Sequence, residues 1–302
     1  MSLAGNASMK AIEDCDVEDR SALKEFRHKR EEWLSWIWSD EYHALQRQIV
    51  RMIHNDMAYR VLIEARRCPE DESPGAALNG LLASFMDQAY VETQVLAIGR
   101  LTDRGNDVVS VRRLVDDVHA HCYLFTREIY VAHDGVPYEP QIEGSGLLIP
   151  GSNEDKSFNA WIRHEKFDQI SGISPAGRSR SNCIQCHVFK AVEDCMREIE
   201  EEGLRKLRNK FVAHAASTTS RGSQRYSGPS PEILEKVAKA HRQIVRAFTA
   251  IAGLLRAERL DLAVYPPLGF LNGLDNAYST VPVAGLQKRW DELRQERETW
   301  LE

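Results

Sequence analysis

The 302-residue sequence has few of the residues that interrupt helices, with only 11 prolines and 18 glycines. It contains no run of about 18 apolar residues, so no membrane-spanning helix is expected. Residues 1–10 lack the apolar core of a secretion signal. The six cysteines are too few for a disulfide scaffold in a chain of this length. These absences predict a protein of the reducing cytoplasm.

The chain also lacks a positive net charge, because its formal charge at pH 7 is −6. A protein that covers nucleic acid over many phosphates needs many Lys and Arg side chains to displace counterions. The acidic balance therefore argues against an extended nucleic-acid platform. It remains compatible with a small, local basic site.

Long stretches show apolar residues at helical spacing, and no stretch shows the alternation of a strand. The sequence predicts an all-α fold, a bundle of long antiparallel helices. Ser39 and Asp40 are expected to cap the second of two N-terminal helices after a break, and Ser110 is expected to cap a helix that continues to Ile129. Further helices are predicted at 76–102, 182–215, 231–258 and 286–301.

Composition divides the chain into three parts. Residues 1–18 are predicted to be a flexible tail, 19–257 a helical domain and 258–302 a C-terminal helical extension. Within the domain, residues 134–180 contain four prolines and several glycines, which predicts a loop-rich insertion with one short helix near Phe158 to Gln169. Such a long connection is uncommon unless it is functional or disordered.

The predicted helix 182–215 changes charge abruptly near its C-terminal end. Acidic residues at 198 and 200–202 are followed at once by Arg205, Lys206, Arg208 and Lys210. Cations near a helix C-terminus interact favourably with the helix dipole. This explanation accounts for the basic cluster without any function.

The helix dipole does not account for the string Leu207-Arg208-Asn209-Lys210-Phe211-Val212-Ala213-His214. An Arg, a polar residue directly after it and a His a few residues further on resemble the hallmark of the HEPN superfamily. The string 207–214 is close to the form found in AbiU2-like HEPN proteins. The helix end Arg100-Leu101-Thr102-Asp103 also resembles sequences of that family. The resemblance extends over roughly residues 20–257.

The resemblance implies a helical domain that forms a homodimer and places two motifs in a shared cleft that cuts RNA without a metal. Arg208 would bind phosphate, and His214 would accept the 2′-hydroxyl proton. Asn209 would orient either group or bond the phosphate, and Lys210 would add positive potential. No metal or cofactor is expected. The implied partners are RNA, a second copy of the chain and an antitoxin or other protein, as in a toxin or phage-defence system.

Further basic residues are candidates for substrate binding. Arg205 precedes the motif, whereas Arg221 and Arg225 lie in the Ser- and Gly-rich stretch 216–230, which is either a substrate-contacting loop or a plain linker. Arg100 is expected to pair with Asp103, three residues on, or to line the cleft.

On a regular α-helix, Arg208 and His214 would point roughly 120° apart and lie about 9 Å apart along the axis. They therefore cannot be direct neighbours on one helix face. Three solutions stay open: the helix ends before His214, the Arg208 side chain reaches round, or the working pair comes from two chains.

Two alternative interpretations of the sequence are each indicated by particular residues. His214 also extends the apolar stripe of its helix, so Arg208 and His214 could be structural parts of a non-catalytic helical interaction module. Cys183, Cys186 and His187 match the attachment pattern of c-type haem and could also bind zinc. No second pair of ligands is evident, so these three residues are expected to be unliganded at the start of a helix.

Overall fold

A computed structural model describes residues 9–40, 42–67, 80–139, 153–201, 203–213, 217–221, 228–255, 262–266, 268–272 and 283–300. Within these ranges the regular structure is helical, apart from one isolated β-bridge between Thr126 and Cys183. The predicted all-α fold is confirmed. None of the described helices is both long and apolar enough to cross a membrane.

The helices follow one another as α1 (Arg20–Leu34), α2 (Leu45–Arg67), α3 (Gly80–Leu101), α4 (Val111–Ala120), α5 (Arg127–Ala132), α6 (Asn153–Ser171), α7 (Cys186–Glu201), α8 (Leu204–Leu207), α9 (Thr218–Arg221), α10 (Pro231–Leu254) and α11 (Val283–Glu298). Two π-helical segments occur, at Ser35–Ser39 and Arg208–Val212. Internal contacts group the chain into two compact units, residues 1–34 with 116–191 and residues 35–115 with 192–302.

The first unit contains α5, a short helix whose six residues are all buried. Thr126 caps it, because its hydroxyl accepts the backbone N–H of Ile129 at 3.4 Å. The wholly buried Arg127 lies 2.7 Å from the carboxylate of Asp168 on α6, and its guanidinium lies over the ring of Phe167. A charged side chain inside the unit is thereby paired and packed, as burial requires.

Helix α6 runs over Asn153–Ser171, so it is longer than the helix predicted at Phe158 to Gln169. It packs against α5. The central part of the stretch predicted to be rich in loops is therefore a regular helix that contributes to a core.

Polar caps that the sequence predicted at two helix starts are confirmed. The Asp40 carboxylate accepts the backbone N–H groups of Tyr42 (2.8 Å) and His43 (2.5 Å) just before α2. The Ser110 hydroxyl accepts the N–H of Arg113 at 3.0 Å at the start of α4. Ser110 thereby satisfies a backbone donor that the start of α4 leaves without an intrahelical partner, whereas Asp40 stabilises the turn that leads into α2.

Two helices that the sequence predicted as continuous are interrupted. The helix expected to run from Ser110 to Ile129 ends at Ala120 and restarts as α5. The helix expected over 182–215 begins only at Cys186, and Gly203 follows its end with φ at 79°. Apolar spacing continues through the first break, which explains why the periodicity did not reveal it. At the second break, Gly203 is the one residue that interrupts the apolar stripe in the sequence.

The second unit is a bundle in which α2 contacts α3, α10 and α11, and α10 also contacts α3. A carboxylate lies at its centre. Asp56 is 0% exposed and lies 3.0 Å from Nε of Arg60. It accepts hydrogen bonds from the Tyr90 hydroxyl at 2.6 Å and from Arg297. The cluster therefore connects α2, α3 and α11.

Two arginines keep this carboxylate ionised. Burial by itself would raise the pKa of Asp56, but the cationic side chains around it lower the pKa below its usual value. His241 also lies close, yet it is neutral at pH 7 because burial lowers its pKa to about 4. The compensating charge therefore comes from Arg60 and Arg297.

We expect Arg297→Met to lower the free energy of unfolding by about 3 kcal/mol, because it leaves a buried carboxylate without one of its cations. Urea titration measures the change. Arg289→Met is the matched control on the same helix, since Arg289 is 39% exposed and pairs with Glu292 at the surface; its effect should stay below about 1 kcal/mol. Equal losses in the two variants would contradict a central role for the Asp56 cluster.

His241 itself lies within the bundle without exposure to solvent, and its Nε2 lies 3.0 Å from Oε1 of Gln94. The Gln94 amide donates in turn to the backbone oxygen of Met52 at 3.2 Å. Gln94 thus presents its oxygen to the imidazole, so Nε2 carries the proton and donates. This arrangement suits a neutral ring.

The free energy of unfolding should therefore fall as the pH is lowered from 6.5 towards 4, because unfolded His241 binds a proton in this window while the folded residue does not. Its contribution amounts to about 3 kcal/mol over the window. His241→Gln should remove that part of the slope. Unfolding curves recorded at several pH values test this, and identical slopes for wild type and variant would refute it.

Candidate functional site

The string that resembles the HEPN motif lies on a helix that departs from regular α-helical geometry. Gly203 adopts the left-handed conformation and opens α8, and the π-helical segment Arg208–Val212 follows directly. The backbone N–H of Ala213 donates to the oxygen of Arg208 at 2.7 Å, five residues back, as a π-helix requires. Because a π turn is wider than an α turn, the angular estimate made for a regular α-helix does not apply to this segment. Short π segments are frequent at functional sites.

Arg208 is positioned by a glycine on the neighbouring helix. A Cβ atom at Gly99 of α3 would lie 2.6 Å from Cδ and 2.7 Å from Nη1 of Arg208. Real side chains do not approach so closely, so the absence of a side chain at 99 is what allows Arg208 to lie there. Asn209 fixes the guanidinium further, because its Oδ1 accepts from Nε of Arg208 at 3.0 Å.

The half-buried guanidinium of Arg208 is paired with no carboxylate among the described residues. Nearby, Arg104 makes a salt bridge to Glu200 at 2.9 Å. Nε of Arg208 donates to the amide oxygen of Asn209, so the remaining N–H groups of the guanidinium are available to a ligand. A guanidinium held in this way suits an anion such as phosphate, to which it can donate two parallel hydrogen bonds.

A pocket of about 150 Å³ lies next to Arg208 within the second unit. Its apolar wall consists of side chains from α3, α7 and α8, and its charged rim combines two carboxylates with three arginines. The lining residues are Val95, Ile98, Gly99, Thr102, Asp103, Arg104, Ile199, Glu200, Leu204, Arg205 and Arg208. The pocket is small, mostly apolar in its wall and charged at its edge, as binding sites for small groups often are.

The structure brings some of the predicted site residues together. Arg205 is exposed on α8 and lines the same pocket as Arg208. Lys210 is half-buried on the π-helical segment, and Arg221 is half-buried on α9; neither lines the pocket. His214 and Arg225 lie outside the described residues.

The expected pairing of Arg100 with Asp103 is wrong. Oδ1 of Asp103 accepts the backbone N–H of Gly105 at 2.9 Å, while Arg100 is exposed and does not line the pocket. Asp103 follows the end of α3, where its carboxylate stabilises the turn towards α4. Asp103 lines the pocket beside Arg208.

Sequence reasoning missed Gly99 and Arg104. A signal for Gly99 exists, because a glycine inside a helix costs about 1 kcal/mol relative to alanine and often marks a close approach of another group. No comparable signal identifies Arg104, since its place depends on Glu200, which is distant in the sequence.

Of the Cys183, Cys186 and His187 pattern, the structure describes the side chains of Cys183 and His187. Cys183 is exposed, precedes α7 and donates to the backbone oxygen of Ser181 at 3.3 Å. His187 is also exposed. Among the described residues, no group of three or more His, Cys, Asp or Glu side chains is arranged to hold a metal ion.

We expect Gly99→Ala to displace the Arg208 side chain, because the new methyl group would occupy its place. The fold should be retained, since a flexible side chain can move away and alanine favours the helix by about 1 kcal/mol. The NMR signal of the Arg208 Nε–H, assigned by its loss in Arg208→Lys, should shift as its hydrogen bond to Asn209 breaks.

Gly80→Ala provides the control on the same helix, because a Cβ there meets no atom within 4 Å. Its Arg208 signal should stay at the wild-type position. An unchanged signal in Gly99→Ala would show that Gly99 does not position Arg208.

Comparison with known proteins gives one match, to a family. The profile of the AbiU2 family of HEPN proteins matches residues 37–247, well over half of the chain. No curated protein and no solved structure shows a significant similarity. The match covers α2 to most of α10, including Gly99, the pocket and the Arg208 segment. The chain therefore belongs to the AbiU2 family of HEPN proteins.

Proposed function

We propose that the chain is an endoribonuclease that cleaves RNA without a metal, with Arg208 and His214 as its central residues. The observation that carries the proposal is the Arg208 guanidinium, which lies across Gly99, is oriented by Asn209 and has no carboxylate partner among the described residues. Its place in a pocket of an AbiU2-family chain supports the same conclusion.

The proposed reaction is an attack by the 2′-hydroxyl of RNA on the adjacent phosphorus. The 2′-oxygen forms a bond to phosphorus and the bond to the 5′-oxygen breaks, leaving a 2′,3′-cyclic phosphate. His214 accepts the 2′-hydroxyl proton, since an imidazole with an unperturbed pKa of about 6.5 is suited to proton transfer near neutral pH. The departing 5′-oxygen takes up a proton.

Arg208 stabilises the negative charge that develops on the phosphate oxygens. A fixed donor aimed at a developing charge contributes most when it needs no reorganisation during the reaction. The contacts of Arg208 with Gly99 and Asn209 provide this preorganisation. Further positive potential along the RNA comes from Lys210, Arg205, Arg221 and Arg225. Arg100, on the exposed side of α3, extends this positive potential.

A homodimer is part of the proposal, with the Arg208 of one chain and the His214 of the other forming each site. The acidic chain, with its net charge of −6, does not favour binding to long stretches of RNA. A small site shared by two copies fits that balance better. A toxin or phage-defence role, under the control of an antitoxin or another protein, completes the proposal.

RNA cleavage in EDTA tests the function. Wild-type protein should cut single-stranded RNA and leave 2′,3′-cyclic phosphate ends, whereas Arg208→Ala and His214→Ala should each lose at least about 100-fold in rate, the scale of one positioned catalytic group. Arg197→Ala and His28→Ala are matched controls for residue type, since both side chains are exposed and neither lines the pocket, and they should cleave like wild type.

Mixing the two inactive variants then tests the composite site. A heterodimer of Arg208→Ala and His214→Ala contains one intact site if each site draws its Arg and His from different chains, so random exchange should restore about a quarter of the wild-type activity. No recovery after exchange would place both residues of a site in one chain. Absence of cleavage by every variant and by wild type would instead favour a non-catalytic interaction module.

A further inference from the structure

The pocket beside Arg208 has the size of a single ring system. Its volume is about 150 Å³, whereas pockets for drug-sized ligands usually measure about 300 Å³ or more. An apolar cavity of about 150 Å³ is known to hold a benzene molecule. The pocket is open to solvent on one side, so a ring that enters it can remain attached to a larger molecule.

The wall of the pocket suits the face of a planar ring. Val95 and Ile98 of α3, Ile199 of α7 and Leu204 of α8 provide apolar surface from three helices. All four side chains are almost fully buried, so each presents to the pocket only a small part of its surface, and this wall belongs to the packed core. Burying a ring face against such side chains is favourable.

The charged side chains at the rim differ in how far they are already paired with other residues. The Glu200 carboxylate is already engaged, because both Nε and Nη2 of Arg104 donate to its Oε1 at 3.2 and 2.9 Å. Asp103 accepts one hydrogen bond from Gly105, out of the roughly four that a carboxylate can accept. Arg205 and Arg208 make no ion pair with any described residue.

Glu200 is thus neutralised by Arg104, so among the described residues the rim offers one carboxylate without an ion pair, Asp103, and two guanidinium donors around an apolar slot. Guanine displays the complementary groups, because its O6 and N7 are acceptors that arginine binds in a bidentate manner. Its N1–H and N2–H groups are neighbouring donors that suit a carboxylate. Uracil has a single ring N–H donor, and adenine and cytosine present an amino group without an adjacent ring N–H.

We propose that this pocket is a guanine-selective subsite, in which Asp103 accepts from the Watson–Crick edge of the base and Arg205 donates to its other edge. The inference rests on the proposed function for its link to RNA, since Arg208 would then bind the phosphate of the same nucleotide. Proteins that recognise single-stranded RNA commonly hold an unstacked base by its edges in this way. The subsite gives the nuclease a preference for cleavage next to guanosine.

Calorimetric titration with the 3′-monophosphates of guanosine, adenosine, cytidine and uridine tests the subsite without requiring cleavage. Wild-type protein should bind the guanosine nucleotide about tenfold more tightly than the other three, the discrimination typical of a good bidentate contact. Asp103→Asn should remove this preference and leave the other affinities unchanged. Arg208→Ala should weaken all four nucleotides to a similar extent.

Asp107→Asn is the matched control, because Asp107 lies in the same turn, is exposed and does not line the pocket. It should retain the guanosine preference. Asn at 103 keeps an oxygen that can accept from Gly105, so the turn is preserved, and a thermal unfolding curve checks this.

Equal binding of the four nucleotides by wild type, or binding of none, would overturn the subsite, as would an unchanged preference in Asp103→Asn. These outcomes are separate from a failure of the proposed function. Selective binding without RNA cleavage would leave the subsite standing and reject the nuclease, whereas cleavage without base selectivity would do the reverse.

Discussion

The second unit depends on the neutralisation of one buried carboxylate. Asp56 has no exposure to solvent, and Arg60, Tyr90 and Arg297 supply the charge and hydrogen bonds that replace water. An unpaired carboxylate in that position would cost several kcal/mol, a large fraction of the stability of a typical domain. Because its partners come from α2, α3 and α11, the cluster fixes these helices against one another. The position of α3 in turn decides where Gly99 lies.

The C-terminal helix therefore has a structural role that its place in the chain does not suggest. The family match ends at residue 247, and α11 lies beyond it. Yet Arg297 of α11 binds a carboxylate of α2, and Trp290 of the same helix is buried beside the rings of His54 and Phe270. The part of the chain outside the match thus completes the core of the part inside it.

The site itself combines a wall of core side chains with a charge that an unusual helix geometry positions. Its apolar residues belong to the core, whereas Arg208 reaches it from a π-helical segment and depends on the space above Gly99. Preorganisation of this kind usually costs some stability elsewhere, and a glycine within a long helix together with a widened helical turn are two such costs. Both lie at Arg208, the residue to which the proposed function assigns the phosphate.

Local sequence was enough to predict the all-α class, the family and the cap at Ser110, because apolar spacing and local motifs depend on neighbouring residues. Packing of the whole chain settles where apparently continuous apolar patterns break, as between Ala120 and Arg127, and which distant residues meet. Arg297 with Asp56 and Arg208 with Gly99 are separated by long stretches of chain, and nothing local to either residue encodes its partner. Apolar periodicity indicates which face of a helix is buried, whereas only the packing of the whole chain decides which element that face contacts.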